Sequence, residues 1–196
     1  MDSSFTGFIL AGGKSSRMGV DKFALLIDGE SFLTRTAGAL AGVCPTVKIV
    51  LNQTQTIETN LPTVRDIYPE RGANGGIHAA LANCETKFAV ILAVDLPLVD
   101  RQAIENLARL ALAANKFPAV VPSQKDGKPQ PLCAVYRARY CLPPLEKLLM
   151  ENNTASVRDF LALINPKYIS AERLSESENL LFNINYPEDF HKLTNR

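Results

Sequence analysis

The sequence predicts a three-layer α/β domain built on a mostly parallel central sheet. Two observations carry that prediction: apolar runs that are continuous rather than alternating, and stretches of helical period between them. A third supports a single unit over residues 1–196, because no repeat, low-complexity tract or linker divides the chain. Strands buried on both faces need no polar alternation, and strands that alternate with helices imply βαβ crossovers. The strands are expected at residues 7–10, 47–52, 63–66, 88–94, 119–122, 132–136 and 182–185, with cores such as FIL, VKIVL, FAVILAV, AVV and LCAVY. Helices are expected at 31–43, 76–84, 101–114, 139–151, 156–164 and 187–193. In the third helix Ile104, Leu107, Ala108 and Ala111 make one apolar stripe, and Asp100 stands at the N-cap. Pro143-Pro144 and the polar loop 123–131 are expected as local breaks.

Composition narrows the partners. A net charge of +1 argues against tracking a polyanion over a long surface, so any basic site is local and nucleic acid is not an expected partner. Four cysteines (Cys44, Cys84, Cys133 and Cys141) are scattered without a CxxC pair, and read as small apolar residues of a reducing compartment. No apolar run approaches the roughly 20 residues of a membrane span, and the N-terminus MDSSFTG shows no signal-peptide pattern. A cytoplasmic protein without membrane partners is the expectation.

In open parallel sheets, ligands bind beyond the carboxyl ends of the strands. There the sequence places a glycine–basic loop after residue 10, Asn52, Asp66 and Asp95 after the next three apolar runs, and Asn183 and Asn185 in the last. The GGKS within the first loop invites a phosphate-loop reading. Counting back from Gly13-Lys14-Ser15, however, the required first glycine falls on Phe8, within the strand. The dinucleotide fingerprint fails too, since no Gly-x-Gly pair is present there. What remains is physical: Gly12 and Gly13 let the backbone turn sharply and present its N–H groups, and Lys14, Arg17 and Lys22 add cationic groups. Arg17 can grip two phosphate oxygens at once.

The string LAGGKSSRMGVDK, residues 10–22, resembles the signature LAGGxSxRMGxDK of the molybdenum cofactor guanylyltransferases, the MobA family. VDLPLV around Asp95, QPLCAVY from Gln130 and FNINYPEDF from Phe182 follow in the same order as in that family. The resemblance implies a Rossmann-like nucleotidyltransferase fold, and transfer of GMP from GTP to molybdenum-molybdopterin with release of pyrophosphate. It implies that Leu10, Ala11, Gly12 and Gly13 hold the nucleotide, that Lys22 faces its phosphates, and that Asn52 and Asp66 lie near guanine and ribose. Asp95 would bind Mg2+, with Asn183 or Asn185 as a second contributor. Cofactor-insertion proteins or molybdoenzyme chaperones would receive the product.

Three departures stand out. Val20 replaces a glycine, GANGGI at 72–77 replaces GPLAGI and implies a more flexible acceptor loop, and Gln130 replaces histidine before Pro131.

The residue types suit the chemistry. Phosphate attacking phosphate must neutralise charge and align the reacting groups, without a covalent intermediate. Asp95 offers the hard oxygen that magnesium prefers, Lys22 stabilises charge in the transition state, and Arg17 steadies departing pyrophosphate. Other readings stay open at this level. Asp95 could cap the turn before Pro97, Asn52 could be a turn residue, and Lys14, Lys125 and Lys128 could be solvated charges. Asn183 and Asn185 alternate faces if extended, so one of them would face the site. His78 reads as a packing or surface residue. Transfer from CTP, transfer to a sugar phosphate, and a carrier that binds without turnover are the rival functions.

Overall fold

Phe5–Leu10 (β1) and Phe88–Ala93 (β6) are buried at every position, which only a strand covered on both faces requires. They pair in parallel at the centre of one seven-stranded sheet. The computed structural model describes residues 3–12, 22–68, 70–184 and 189. The remaining strands of that sheet are Thr46–Leu51 (β4), Thr63–Arg65 (β5), Ala119–Ser123 (β7), Cys133–Arg137 (β8) and Lys167–Ser170 (β9). Their order is β5-β4-β1-β6-β8-β7-β9. β5, β4, β1 and β6 run parallel, while β8 is antiparallel to both β6 and β7.

The period of two sorts the core into two layers. Phe5 and Ile9 of β1, with Phe88, Val90 and Leu92 of β6, pack against Phe32–Ala41 (α1) and Arg101–Ala113 (α3). Phe8 and Leu10, with Ala89 and Ile91, face Ala73–Ala82 (α2), Ala138–Glu151 (α4) and Val157–Ile164 (α5). From β1 the chain therefore winds outward to β4 and β5, then returns to β6 on the other side. That reversal is the topological switch point at which such sheets bind ligands.

Local signals explain the helix ends. Ser31 caps α1 by accepting from Thr34 N, and Asp100 caps α3 as its position predicts, accepting from Ala103 N at 2.8 Å. Ser156 and Asp159 form a reciprocal capping box on α5. The Ile104, Leu107, Ala108 and Ala111 stripe of α3 is buried as expected. Burial suppresses ionisation of three cysteines, pushing the thiols of Cys44, Cys133 and Cys141 up to about 12. Among the described residues, no helix is long and apolar enough to cross a membrane.

Two expectations need correction, and two elements go unforeseen. Pro143 and Pro144 lie inside α4 rather than breaking it. Each interior proline costs a helix about 3 kcal/mol, but complete burial of Leu145 and Leu149 on the same helix returns about 1.5–3 kcal/mol apiece, and Cys141 packs beside them. Packing overrides propensity here. Over its described residues the segment expected as a last strand is not one: Phe182 N bonds back to Asn179 O at 2.9 Å as in a turn, and residues 182–184 join no ladder. The seventh strand is β9 instead, an edge strand with only Ile169 buried and hence no apolar run to betray it. Leu26–Ile27 (β2) and Glu30–Ser31 (β3) form a small hairpin whose Asp28-Gly29 turn has φ of 53° and 79°. Asp-Gly is the signal for such a turn. The helix expected at 187–193 lies outside the described residues except for Asp189.

Candidate active site at the carboxyl edge of the sheet

Because β5, β4, β1 and β6 are parallel neighbours, Asp66, Asn52, the Ala11-Gly12 turn and Asp95 emerge side by side on one edge. The backbone leaving β1 is held closely there. Ala11 N and Gly12 N both donate to Val50 O, at 3.1 and 3.2 Å, and Val94 N donates to Leu10 O. A Cβ on Gly12 would stand 3.3 Å from Asn52 N, so glycine allows the chain to cross the end of β4. Gly13, Lys14, Arg17, Val20 and Asn185 lie outside the described residues.

Lys22 opens a 3-10 turn (Lys22–Ala24) that brings its Nζ within 3.5 Å of Asp95 Oδ2. The two side chains remain 18% and 22% exposed, so the pair is enclosed but open to a ligand on one side. The other oxygen of Asp95, Oδ1, is buried and meets no hydrogen-bond donor among the described residues. Burial raises the Asp95 pKa, and the Lys22 ammonium lowers it only in part. A half-satisfied carboxylate at a strand end is chemically poised to bind a cation.

The carboxyl-terminal segment closes on this pair. Ile184 N donates to the backbone oxygen of Asp95 at 2.9 Å, and the adjacent Asn183 accepts through Oδ1 from Nε2 of buried Gln130 at 3.3 Å. Gln130 N in turn donates to Pro122 O. The residue that departs from the histidine pattern thus orients the Asn183 carboxamide.

On the far side of β1 the residues do different work. Asn52 Oδ1 accepts from Thr54 N, Thr54 Oγ1 and Gln55 N, at 3.0, 3.2 and 2.8 Å. Its oxygen is committed to a turn, so contact with a ligand falls to its amide hydrogens. Arg65, at the end of β5, donates through Nη1 to Asn52 O at 2.7 Å and also to Gln55 O. Gln53 Nε2 donates to Asp66 O. Gln55 Nε2 reaches back to Ala11 O at 3.1 Å.

Asp66 accepts from Tyr68 N at 2.8 Å, and its carboxylate lies on the first turn of α2. That approach requires Gly75, where a Cβ would fall 2.4 Å from Asp66 Oδ2. A helix N-terminus favours an anion, yet burial dominates and raises the Asp66 pKa, offset by Tyr68 N–H and His78. α2 begins three residues earlier than its sequence pattern predicts because Gly72 caps it at φ 55°, ψ −136°. The GANGGI stretch is anchored rather than loose: buried Asn74 donates from Nδ2 to Ala155 O at 3.0 Å, and Arg71 donates to Asn153. His78 is a packing residue, buried edge-on to Tyr68 at 4.7 Å and 3.3 Å from Glu146 Oε1.

The structure therefore brings together Leu10, Ala11, Gly12, Lys22, Asn52, Asp66, Asp95 and Asn183. It gives Gln130, noted in the sequence only as a departure from histidine, a bonding role, and adds Gln55 and Arg65, which sequence reading passes over. Their only signal is position, immediately beside a strand end on the ligand-facing edge.

Comparison with known proteins agrees with this geometry. The model of the MobA-like NTP transferase domain matches residues 7–170. A probable molybdenum cofactor guanylyltransferase from Carboxydothermus hydrogenoformans is 33% identical, over 97% of this chain and 95% of its own. Its counterpart from Methanocaldococcus jannaschii is 28% identical, over 96% and 98%. Among solved structures, molybdopterin-guanine dinucleotide biosynthesis protein A from Archaeoglobus fulgidus superposes with a TM-score of 0.79, at 24% identity and covering 97% of each chain. That likeness establishes the Rossmann-like nucleotidyltransferase fold with its mostly parallel sheet. With a matching domain model over most of its length and a relative one-third identical end to end, the chain belongs to the MobA-like NTP transferase family.

Proposed function

We propose that this protein transfers GMP from GTP to molybdenum-molybdopterin, forming the molybdopterin guanine dinucleotide cofactor and releasing pyrophosphate, with Mg2+ as cofactor. The observation that carries the reading is the Lys22–Asp95 pair at the switch point of the sheet, with one buried carboxylate oxygen left without a donor among the described residues. An oxygen of the acceptor's terminal phosphate attacks the α-phosphorus of GTP, and the bond from that phosphorus to the bridging oxygen of pyrophosphate breaks. Ala11 and Gly12 bring backbone close to the nucleotide, and Lys22 places positive charge beside the phosphates. Arg17, by its place in the signature, holds the leaving pyrophosphate. No strong base is needed, since the acceptor phosphate is already ionised.

The residues present fit a magnesium ion. Among the described residues no three His, Cys, Asp or Glu side chains converge into a metal cage. A divalent cation here would rest on the Asp95 carboxylate, with Asn183 as a neutral second donor and phosphate oxygens and water completing the shell. That donor set is the one magnesium accepts, because it keeps its waters and binds through one or two carboxylates. Bound there, magnesium would neutralise charge on the reacting phosphates. Action in the cytoplasm, and passage of the product to a cofactor-insertion protein or molybdoenzyme chaperone, complete the proposal.

Purified protein with molybdenum-molybdopterin, Mg2+ and each of GTP, CTP and ATP should release pyrophosphate only with GTP, and only when acceptor is present. Equal or faster release with CTP would overturn the guanine assignment. GTP binding without pyrophosphate from any acceptor would leave a carrier.

A further inference from the structure

Gln55 is held more firmly than a loop glutamine requires. Its backbone N donates to Asn52 Oδ1, and its backbone oxygen accepts from Arg65. The side chain then returns across the sheet edge, and Nε2 donates to Ala11 O at 3.1 Å, joining the β4–β5 loop to the turn after β1. That bond fixes which end of the carboxamide is which. Turning it over would set Oε1 against the Ala11 oxygen, two acceptors face to face. Oε1 is therefore locked as an acceptor, and among the described residues it is buried without a hydrogen-bond partner. Folded proteins rarely leave a buried acceptor unanswered, and those they do leave call for an explanation.

Its place on the edge suggests what answers it. Gln55 follows β4, and Asp95 follows β6, with β1 between them. Adjacent strands lie about 4.8 Å apart, so the two positions are separated by about 10 Å along the edge. That matches the reach from the α-phosphate of a nucleotide, across its ribose, to its base. With phosphates at Lys22 and Asp95, the base arrives at Gln55. A fixed acceptor discriminates among bases by the donors they present. Guanine offers two adjacent donors on its pairing edge, N1–H and the 2-amino group. Adenine has an acceptor at N1 and no 2-amino group.

We propose that Gln55 is a specificity-determining residue for the nucleotide, its Oε1 accepting a hydrogen bond from the N1–H and 2-amino edge of guanine. The inference rests on the guanylyl-transfer reading above. It also gives the bond to Ala11 a purpose: the turn that holds the phosphates and the group that reads the base are one connected unit.

The test compares GTP and ATP affinity, without acceptor, in wild type and in Gln55→Met, which keeps the side chain's length but removes both polar atoms. Titration calorimetry should show GTP binding weakened about tenfold, the usual scale for an unanswered hydrogen bond, with ATP binding unchanged. The GTP-to-ATP preference should shrink by the same factor. An equal loss for both nucleotides would overturn the proposal, since it would mean that Gln55 only braces the Ala11 turn. No change for either would overturn it as well. Both affinities are measured on the same folded variant, so a general loss of structure cannot mimic a change in their ratio. Wild-type protein that does not prefer GTP over ATP would sink the guanylyl-transfer reading itself. A wild-type preference that survives intact in Gln55→Met would sink only the role of Gln55.

Discussion

Replacing Asp95 by asparagine is expected to slow nucleotidyl transfer by a factor on the order of 10²–10³, the usual cost of removing one preorganised charge contact. The same change should make the folded protein more resistant to heat at neutral pH. Burial raises the folded-state pKa of Asp95, and Lys22 at 3.5 Å offsets only part of that rise. A carboxyl with a raised folded pKa favours the fold while protonated, below its unfolded pKa. That contribution is lost as pH rises through the folded value. At neutral pH the ionised group is therefore retained against stability, and asparagine removes the charge. The melting-temperature gain of Asp95→Asn over wild type should widen from acid to neutral pH and then level off. Pyrophosphate release and a series of thermal melts across pH check both halves. Wild-type turnover in the variant would remove Asp95 from the reaction, and a lower melting temperature at neutral pH would show that the Lys22 pairing outweighs burial.

Gly75→Ala is expected to destabilise the protein by about 1–3 kcal/mol, the range for forcing a methyl group into a packed position. It should also weaken GTP binding tenfold or more. Two effects compete. Alanine is the better helix former by up to about 1 kcal/mol, and Gly75 lies in the first turn of α2. Against that, the new Cβ would fall 2.4 and 2.7 Å from the Asp66 carboxylate oxygens and 2.8 Å from the Tyr68 carbonyl. A carboxylate can swing away, but Tyr68 O belongs to the backbone that fixes Asp66 through Tyr68 N. The clash therefore wins, and it displaces the group at the nucleotide edge. Urea denaturation and GTP titration measure the two consequences. A variant as stable as wild type would show that the Asp66–Tyr68 turn relaxes freely.

Legibility from sequence followed burial closely. β1 and β6 were plain because every position along them is enclosed and nearly all are apolar, whereas β9 was hidden because one buried residue in four makes no pattern. α4 was misread at Pro143-Pro144 because propensity is local, while the packing of Leu145 and Leu149 that outweighs it is not. At the candidate site, Lys22 and Asp95 could be foreseen together because each stands in a distinctive string, and the structure places them in contact. Asn52 shows how two readings coexist: it is the turn residue that simple chemistry suggests, and it still sits on the ligand edge. The bonding roles of Gln55, Arg65 and Gln130 were invisible for a common reason. Each is a polar residue in or beside a polar loop, and its meaning lies in a bond to a distant part of the chain, as when Gln55 meets Ala11 or Gln130 meets Asn183.

The bond from Ile184 N to the backbone oxygen of Asp95 ties the tail of the chain to the middle of the reaction centre. Residues 182–184 belong to no strand or helix, yet Ile184 is fully buried in the same core layer as α1 and α3. Pulling the segment away from Asp95 therefore exposes core surface as well. Heat that releases this segment should loosen the core with it, so activity and fold should be lost in one transition.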